Sequence, residues 1–154
     1  LDPAITRAGR IDRRIRVTRP DETAAARIFQ IHLDGVFLDE ELTPESLAAA
    51  AARELFQPAH AIYEVKFQDV DEPVVFLLKD LASGALVHNI VDRATANKME
   101  FCIERGVRKG LNTSDLKQAT AEVLAEQREV KHHDELVEFA ELRGRMIESV
   151  RKTV

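Results

Sequence analysis

A β-hairpin is predicted in the middle of the chain by residues 63–80, YEVKFQDVDEPVVFLLKD. The apolar residues Tyr63, Val65 and Phe67 alternate with polar ones, which is the pattern of a strand with one buried face. The sequence DVDEP then supplies the polar and proline-containing chemistry of a turn, and the apolar run VVFLL resumes an extended segment. Two such runs on either side of a polar turn predict a hairpin at about residues 62–79.

Helices are predicted on both sides of this hairpin. Apolar residues at helical spacing follow each of four positions suited to a helix N-terminus, namely Asp21, Thr43, Ser83 and Asn112 or Thr113. The helix that begins at Ser83 is expected to be the longest and to end near Gly106. Helical spacing also continues through residues 131–154, although Gly144 interrupts it. The sequence therefore predicts a mostly α fold with one inserted hairpin.

Composition is that of an ordinary globular protein, and 154 residues suffice for a single domain with a buried core. The chain has 22 basic and 27 acidic residues and a net charge of -5, which argues against nucleic acid or an anionic membrane as a partner. Its single cysteine, Cys102, cannot form an internal disulfide and suits a reducing compartment. No apolar run has membrane-spanning length, and nothing has the pattern of a signal peptide. We expect a cytoplasmic protein.

Arginines are dense in residues 1–21, LDPAITRAGRIDRRIRVTRPD. This stretch resembles the end of the second region of homology of AAA ATPases, with the pattern L-D-P-A-L-x-R-P-G-R, a hydrophobic residue and D-R, followed by a strand that ends in P-D. Ala8 stands where that family usually has proline. By this resemblance, Arg7 and Arg10 are arginine fingers, which neutralise the charge that develops on ATP bound by a neighbouring subunit. The alternative is that these arginines are solvated residues of a turn and strand.

Two further segments resemble the nucleotide-facing parts of the AAA lid. Residues 83–94, SGALVHNIVDRA, are similar to the S-G-A-D helix start that packs against adenine, which implies contacts from Gly84 and Ala85. Small residues at a helix N-terminus let a ligand approach the backbone closely, although a serine cap followed by glycine also begins ordinary helices. Residues 28–32, IFQIH, resemble the first lid helix of Cdc48-type unfoldases. This resemblance places His32 against the ribose and base; the alternative is a histidine packed in the core.

AAA lids are usually all-helical, so the hairpin makes this chain most similar to one branch of the family. That branch is the proteasomal ATPases of actinobacteria, which form rings and unfold pupylated proteins. These are similar here in a lysine-aspartate pair before Ser-Gly-Ala and in the sequence NIVDRA at residues 89–94. The resemblance covers about residues 1–125, and the terminal VRKTV lacks the tyrosine-containing tail by which that family docks onto the proteasome.

The resemblance implies that the chain has three parts. Residues 1–20 are the arginine-finger turn and final strand of the AAA large subdomain, residues 21–130 are a helical lid with the inserted hairpin, and residues 131–154 are a C-terminal helical extension.

The function implied by this resemblance is ATP-driven protein unfolding. ATP and Mg²⁺ are the expected cofactors, and identical subunits in a hexameric ring, protein substrates and a proteasome core are the expected partners. The sequence contains no G-x-x-x-x-G-K-[ST] loop and no hydrophobic strand that ends in Asp-Glu. We therefore expect the C-terminal part of a longer ATPase, inactive and without tight nucleotide binding on its own. Two alternatives are a Cdc48-like remodelling ATPase without a proteasome and a non-catalytic helical interaction module.

Overall fold

Helices and one three-stranded antiparallel sheet make up residues 18–153, the part of the chain that the computed structural model describes. In chain order the elements are α1 Glu22–Leu33, α2 Pro44–Leu55, β1 Ala61–Phe67, β2 Val74–Leu77, a 3₁₀ turn Leu78–Leu81, α3 Gly84–Arg105, α4 Thr113–Glu129, α5 His133–Glu141 and β3 Ile147–Lys152. The mostly α fold with an inserted hairpin is thereby confirmed. The strand predicted at the end of the AAA large subdomain falls almost wholly on residues 1–17, outside the described residues.

The predicted helix N-termini are confirmed by their capping hydrogen bonds. Asp21 Oδ1 accepts from the backbone N–H of Ala24 at 2.7 Å, and Ser83 Oγ accepts from that of Leu86 at 3.2 Å. Thr43 forms a reciprocal capping box with Ser46, and Asn112 forms one with Asp115. Such side chains stabilise a helix because its first backbone N–H groups have no partner within the helix. Gly106, with φ 63°, ends α3 in the left-handed conformation that glycine tolerates best.

The predicted hairpin consists of β1 and β2. Their antiparallel register pairs Val65 with Val74 and Tyr63 with Phe76. The side chains of Tyr63, Val65 and Phe67 are buried, whereas Lys66 is exposed, as the alternation in the sequence predicts. The hairpin is inserted between α2 and α3, and its β1 strand contributes one side of the core.

The C-terminal helical extension predicted for residues 131–154 is wrong beyond Glu141. Gly144 adopts φ 63°, and the chain then forms β3, which pairs antiparallel with β1 and places Val65 opposite Val150. The resulting strand order is β2-β1-β3. The physical reason is that β1 has a second edge of backbone N–H and C=O groups, and a strand that pairs with this edge satisfies them. The last part of the described chain therefore completes the sheet.

A single hydrophobic core joins the sheet to the helices. The ring of Phe139 on α5 lies 5.0 Å from that of Phe76 and 6.3 Å from that of Phe67, between ring centroids. Beside this aromatic cluster, the Tyr63 hydroxyl donates to the carbonyl oxygen of Val130 at 2.7 Å, just after α4. Arg128 donates to the carbonyl oxygen of Ala61 from both Nε and Nη2, at 2.9 and 2.8 Å. These contacts fix the sheet against the end of α4.

Glu122 on α4 is contacted by one polar side chain of its own helix and by one of α3. Gln118 Nε2 donates to Glu122 Oε1 at 2.9 Å, and Asn97 Nδ2 lies 3.1 Å from Glu122 Oε2. The hydrogen bonds from Gln118 and Asn97, followed by the charge of Arg93, lower the pKa of Glu122, because each favours the ionised carboxylate.

Among the helices of residues 18–153, none is long and apolar enough to cross a membrane.

The hairpin core allows a stability test with a matched neighbour. Phe76→Ala should lower the free energy of unfolding by about 3–5 kcal/mol, because Phe76 is fully buried and its removal leaves a cavity. Val75→Ala, on the same strand at a side chain that is 41% exposed, should cost less than about 1 kcal/mol. Denaturant unfolding followed by circular dichroism measures both. Equal losses for the two variants would contradict this assignment of the faces of β2.

Candidate functional site

A cleft opens where α1 and α3 begin. Its volume is about 560 Å³, within the range typical of small-molecule sites. Three segments form its walls: the residues that lead into α1, the first turns of α1, and the residues at the start of α3. The lining residues are Thr18, Arg19, Pro20, Asp21, Ala24, Ile28, Ala82, Ser83 and Gly84. Ala24 and Ile28 come from α1, whereas Pro20 and Ala82 lie in the segments that precede the two helices. The polar members lie near the two helix N-termini.

Two capped helix N-termini meet at this cleft. Asp21 caps α1 and Ser83 caps α3, and both capping residues line the cleft. The first turn of α3 carries no acidic side chain, whereas Glu22 lies in the first turn of α1. Backbone N–H groups that point out of a helix start favour electronegative ligand atoms. The α3 end of the cleft therefore offers hydrogen-bond donors to a ligand.

Gly84 leaves open space at the first position of α3. A Cβ atom built there would meet no atom within 4 Å, apart from its immediate chain and helix neighbours, and its φ is not in the left-handed region. Gly110 is different, because a Cβ there would collide with the backbone of Leu38 and Asp39. The described fold thus requires glycine at 110 and does not require it at 84. What glycine provides at 84 is an unobstructed backbone at the cleft.

Ala85 and His32 are not among the residues that line this cleft. Ala85 lies instead on a neighbouring cleft of about 310 Å³, together with Asn89 and the buried His132. His32 is half-buried one turn beyond Ile28 on α1, and its ring centroid lies 4.7 Å from that of His88 on α3. Of the residues predicted to contact nucleotide, the structure therefore brings only Gly84 to the cleft. The roles of Ala85 and His32 in nucleotide binding remain predictions.

The predicted arginine fingers, Arg7 and Arg10, lie outside the described residues, so their role also stays a prediction. In the part of the chain from 18 to 153, no group of three or more His, Cys, Asp or Glu side chains is arranged to hold a metal ion.

Ala24, Ile28 and Arg19 are lining residues that the sequence analysis did not assign to the site. Ala24 and Ile28 precede His32 by eight and four positions, so helical spacing puts all three on one face of α1 and could have identified the first two. Arg19 carries no such signal. It lines both clefts, and its guanidinium donates to Glu138 Oε2 on α5, a contact that depends on the tertiary fold.

Comparisons with known proteins agree on one family. A family model described as "ARC, AAA+ ATPase lid domain" matches residues 20–154. An "AAA ATPase forming ring-shaped complexes" of Corynebacterium kroppenstedtii is 34% identical over 159 residues, covering 94% of this chain and 28% of that protein. The protein of the same name from Kocuria rhizophila is 31% identical, covering 94% and 27%. A "Proteasome-associated ATPase" of Nakamurella multipartita is 31% identical, covering 97% and 27%. The chain spans about a quarter of the length of these curated relatives.

The two glycines give a direct test of the cleft geometry. Gly84→Ala should leave the free energy of unfolding unchanged or raise it by up to about 1 kcal/mol, because the added methyl group meets open space and restricts the unfolded chain. Gly110→Ala should lower it by about 1–3 kcal/mol or more, because the methyl group has no room beside the backbone of Leu38. Denaturant unfolding of both variants is the measurement. A large loss for Gly84→Ala would show that the fold itself needs this glycine.

Proposed function

This chain belongs to the ARC AAA+ ATPase lid domain family, and we propose that it is the lid of a ring-forming ATPase and covers the adenine of bound ATP. The observation that carries the proposal is the cleft at the start of α3, where Gly84 leaves the backbone open although the fold does not require glycine. The apolar side chains of Ala24 and Ile28 suit the faces of a purine ring. The exposed N–H groups at the start of α3 suit its ring nitrogens.

ATP would be held only in part by this chain. The lid residues would bind and orient the base, and the phosphates and Mg²⁺ would be held by the rest of the full-length protein. Mg²⁺ neutralises charge on the phosphates during transfer when it is bound. Closure of the lid over the base would fix the nucleotide and exclude water from the reacting phosphates. Adenine contacts alone contribute little affinity, so tight binding requires the whole protein.

Arg7 and Arg10 would act on the ATP of the neighbouring subunit. A guanidinium is always charged and presents several N–H donors in a fixed plane, which suits the oxygens of a phosphoryl group in transfer. A residue supplied in this way couples hydrolysis to ring assembly, because each ATP site is complete only beside a neighbour. The relatives from Kocuria and Corynebacterium are named as forming ring-shaped complexes, which supports a ring of identical subunits as the partners. We propose that this ring is a hexamer.

We extend the proposal to cytoplasmic protein unfolding for a proteasome. Its support is the similarity to the "Proteasome-associated ATPase" of Nakamurella multipartita and of Thermomonospora curvata, each 31% identical over 97% of this chain. The relatives from Kocuria and Corynebacterium carry no mention of a proteasome in their names. A ring-forming remodelling ATPase that works without a proteasome is therefore the second candidate. Co-purification of the full-length ring with proteasome core particles distinguishes the two.

The nucleotide cleft is tested by filling it in the full-length protein. Gly84→Leu should raise the KM for ATP by about tenfold or more, because the leucine side chain would fill the space proposed for the adenine. A tenfold loss of affinity corresponds to about 1.4 kcal/mol of lost contacts. The control is Thr113→Leu, the same new side chain at the exposed first position of α4. Steady-state ATPase assays measure both, after circular dichroism has established that each variant is folded. A normal KM for Gly84→Leu would refute the proposed lid function of this cleft.

The arginine fingers are tested by replacement in the full-length protein. Arg7→Ala or Arg10→Ala should leave ATP affinity nearly unchanged and lower turnover by about 10³-fold or more, because a finger acts on charge that develops in the transition state. Mixed rings give the decisive control. Arg7→Ala subunits should regain hydrolysis beside subunits that keep both arginines but have an inactivated ATP site. Normal turnover of both variants, or no complementation in rings that demonstrably mix, would show that the arginines are structural.

A further inference from the structure

One ion pair joins the entrance of the lid to its last helix. Arg19, just before α1, donates to Glu138 Oε2 on α5 from Nη2 at 2.8 Å and from Nε at 3.2 Å. The two side chains are 30% and 44% exposed, so water reaches the pair and screens it. An ion pair of this exposure contributes little to overall stability. Any larger role must come from the segment that it holds in place.

The segment that Arg19 belongs to forms one wall of the cleft. Residues 18–21 contribute four of its lining residues. Asp21 is fixed as the cap of α1, where its carboxylate and its carbonyl oxygen accept from the N–H groups of Ala24 and Ala25. Pro20 has no N–H group to donate. Within the described residues, the pair with Glu138 is the only hydrogen-bonded contact made by residues 18–20.

Glu138 is in turn held by the core. Its neighbour Phe139 is 4% exposed and packs against the hairpin rings of Phe67 and Phe76. The guanidinium of Arg143 covers the outer face of Phe139, 3.5 Å from the ring centroid, and donates from Nη1 to its carbonyl oxygen at 3.0 Å. Because α5 is fixed to the sheet in this way, the backbone that carries Glu138 is held in place beside the cleft wall, and its carboxylate accepts from the guanidinium of Arg19.

We propose that Arg19 is a positioning residue for nucleotide binding, held by Glu138 so that residues 18–21 form the wall of the nucleotide cleft opposite α3. This inference rests on the proposed function of the cleft. Arg19 acts through the backbone that it anchors, and its guanidinium is already engaged by the carboxylate. The hairpin and α5 thereby help to position the wall of a cleft that neither of them lines.

The first arm of the test measures the wall itself. Glu138→Ala should accelerate hydrogen exchange at the amides of Ala24 and Ala25, whose N–H groups donate to Asp21, because the wall that contains Asp21 loses its anchor. Glu141→Ala is the matched control, since Glu141 is an exposed carboxylate on the same helix, one turn from the pair. The charge-swapped double variant Arg19→Glu with Glu138→Arg should restore slow exchange. Unchanged exchange in Glu138→Ala would overturn the proposal.

The second arm measures nucleotide use by the full-length protein. Glu138→Ala should raise the KM for ATP by about three- to fivefold with kcat unchanged, the scale set by one partly exposed ion pair. Glu141→Ala should leave the KM unchanged, and the charge-swapped variant should restore it. If Gly84→Leu raises the KM while Glu138→Ala does not, this inference fails and the nucleotide cleft stands. If Gly84→Leu has no effect, the proposed function fails first.

Discussion

The position of β1 at the centre of the sheet is the constraint on which the rest of this lid depends. Its backbone is paired on one edge with β2 and on the other with β3, and its inward side chains are buried against the helices. A central strand satisfies its N–H and C=O groups only if both neighbours are present. The helical part of the lid supplies neither neighbour. The sheet is therefore built from two separate segments of chain, one on each side of α3 and α4.

This sheet determines where the two walls of the cleft lie. On one side, β2 leads into the 3₁₀ turn, whose Asp80 accepts from the backbone N–H of Leu77 at 2.8 Å, and the turn delivers Ser83 to the start of α3. On the other side, the sheet core holds α5, whose Glu138 engages Arg19. A hairpin that does not itself line the cleft thus leads into one wall and supports the helix that contacts the other. The insertion is part of how the site is built.

Local patterns in the sequence predicted most of the helices and the hairpin, because capping residues and side-chain periodicity act over a few residues. Ser83, Asp21 and the alternation at Tyr63, Val65 and Phe67 are of this kind. They failed at β3, where Phe139, Ala140 and Met146 continue a helical spacing across Gly144. Whether residues 147–152 form a helix or a strand is decided by the free edge of β1, which a local pattern cannot include. The Arg19–Glu138 contact was missed for the same reason. Gly84 was singled out from a local motif by resemblance, and the structure places it among the residues that line the cleft.

The late place of β3 in the chain has a consequence for biosynthesis. Ribosomes deliver β1 and β2 well before β3, so the hairpin leaves the exit tunnel with one edge of β1 still open. Closing that edge requires a contact across all of α3 and α4, and contacts between distant segments form slowly. Until then, the nascent lid exposes a strand edge that can pair with other chains. The helices can form early, yet the finished sheet exists only after β3 has docked.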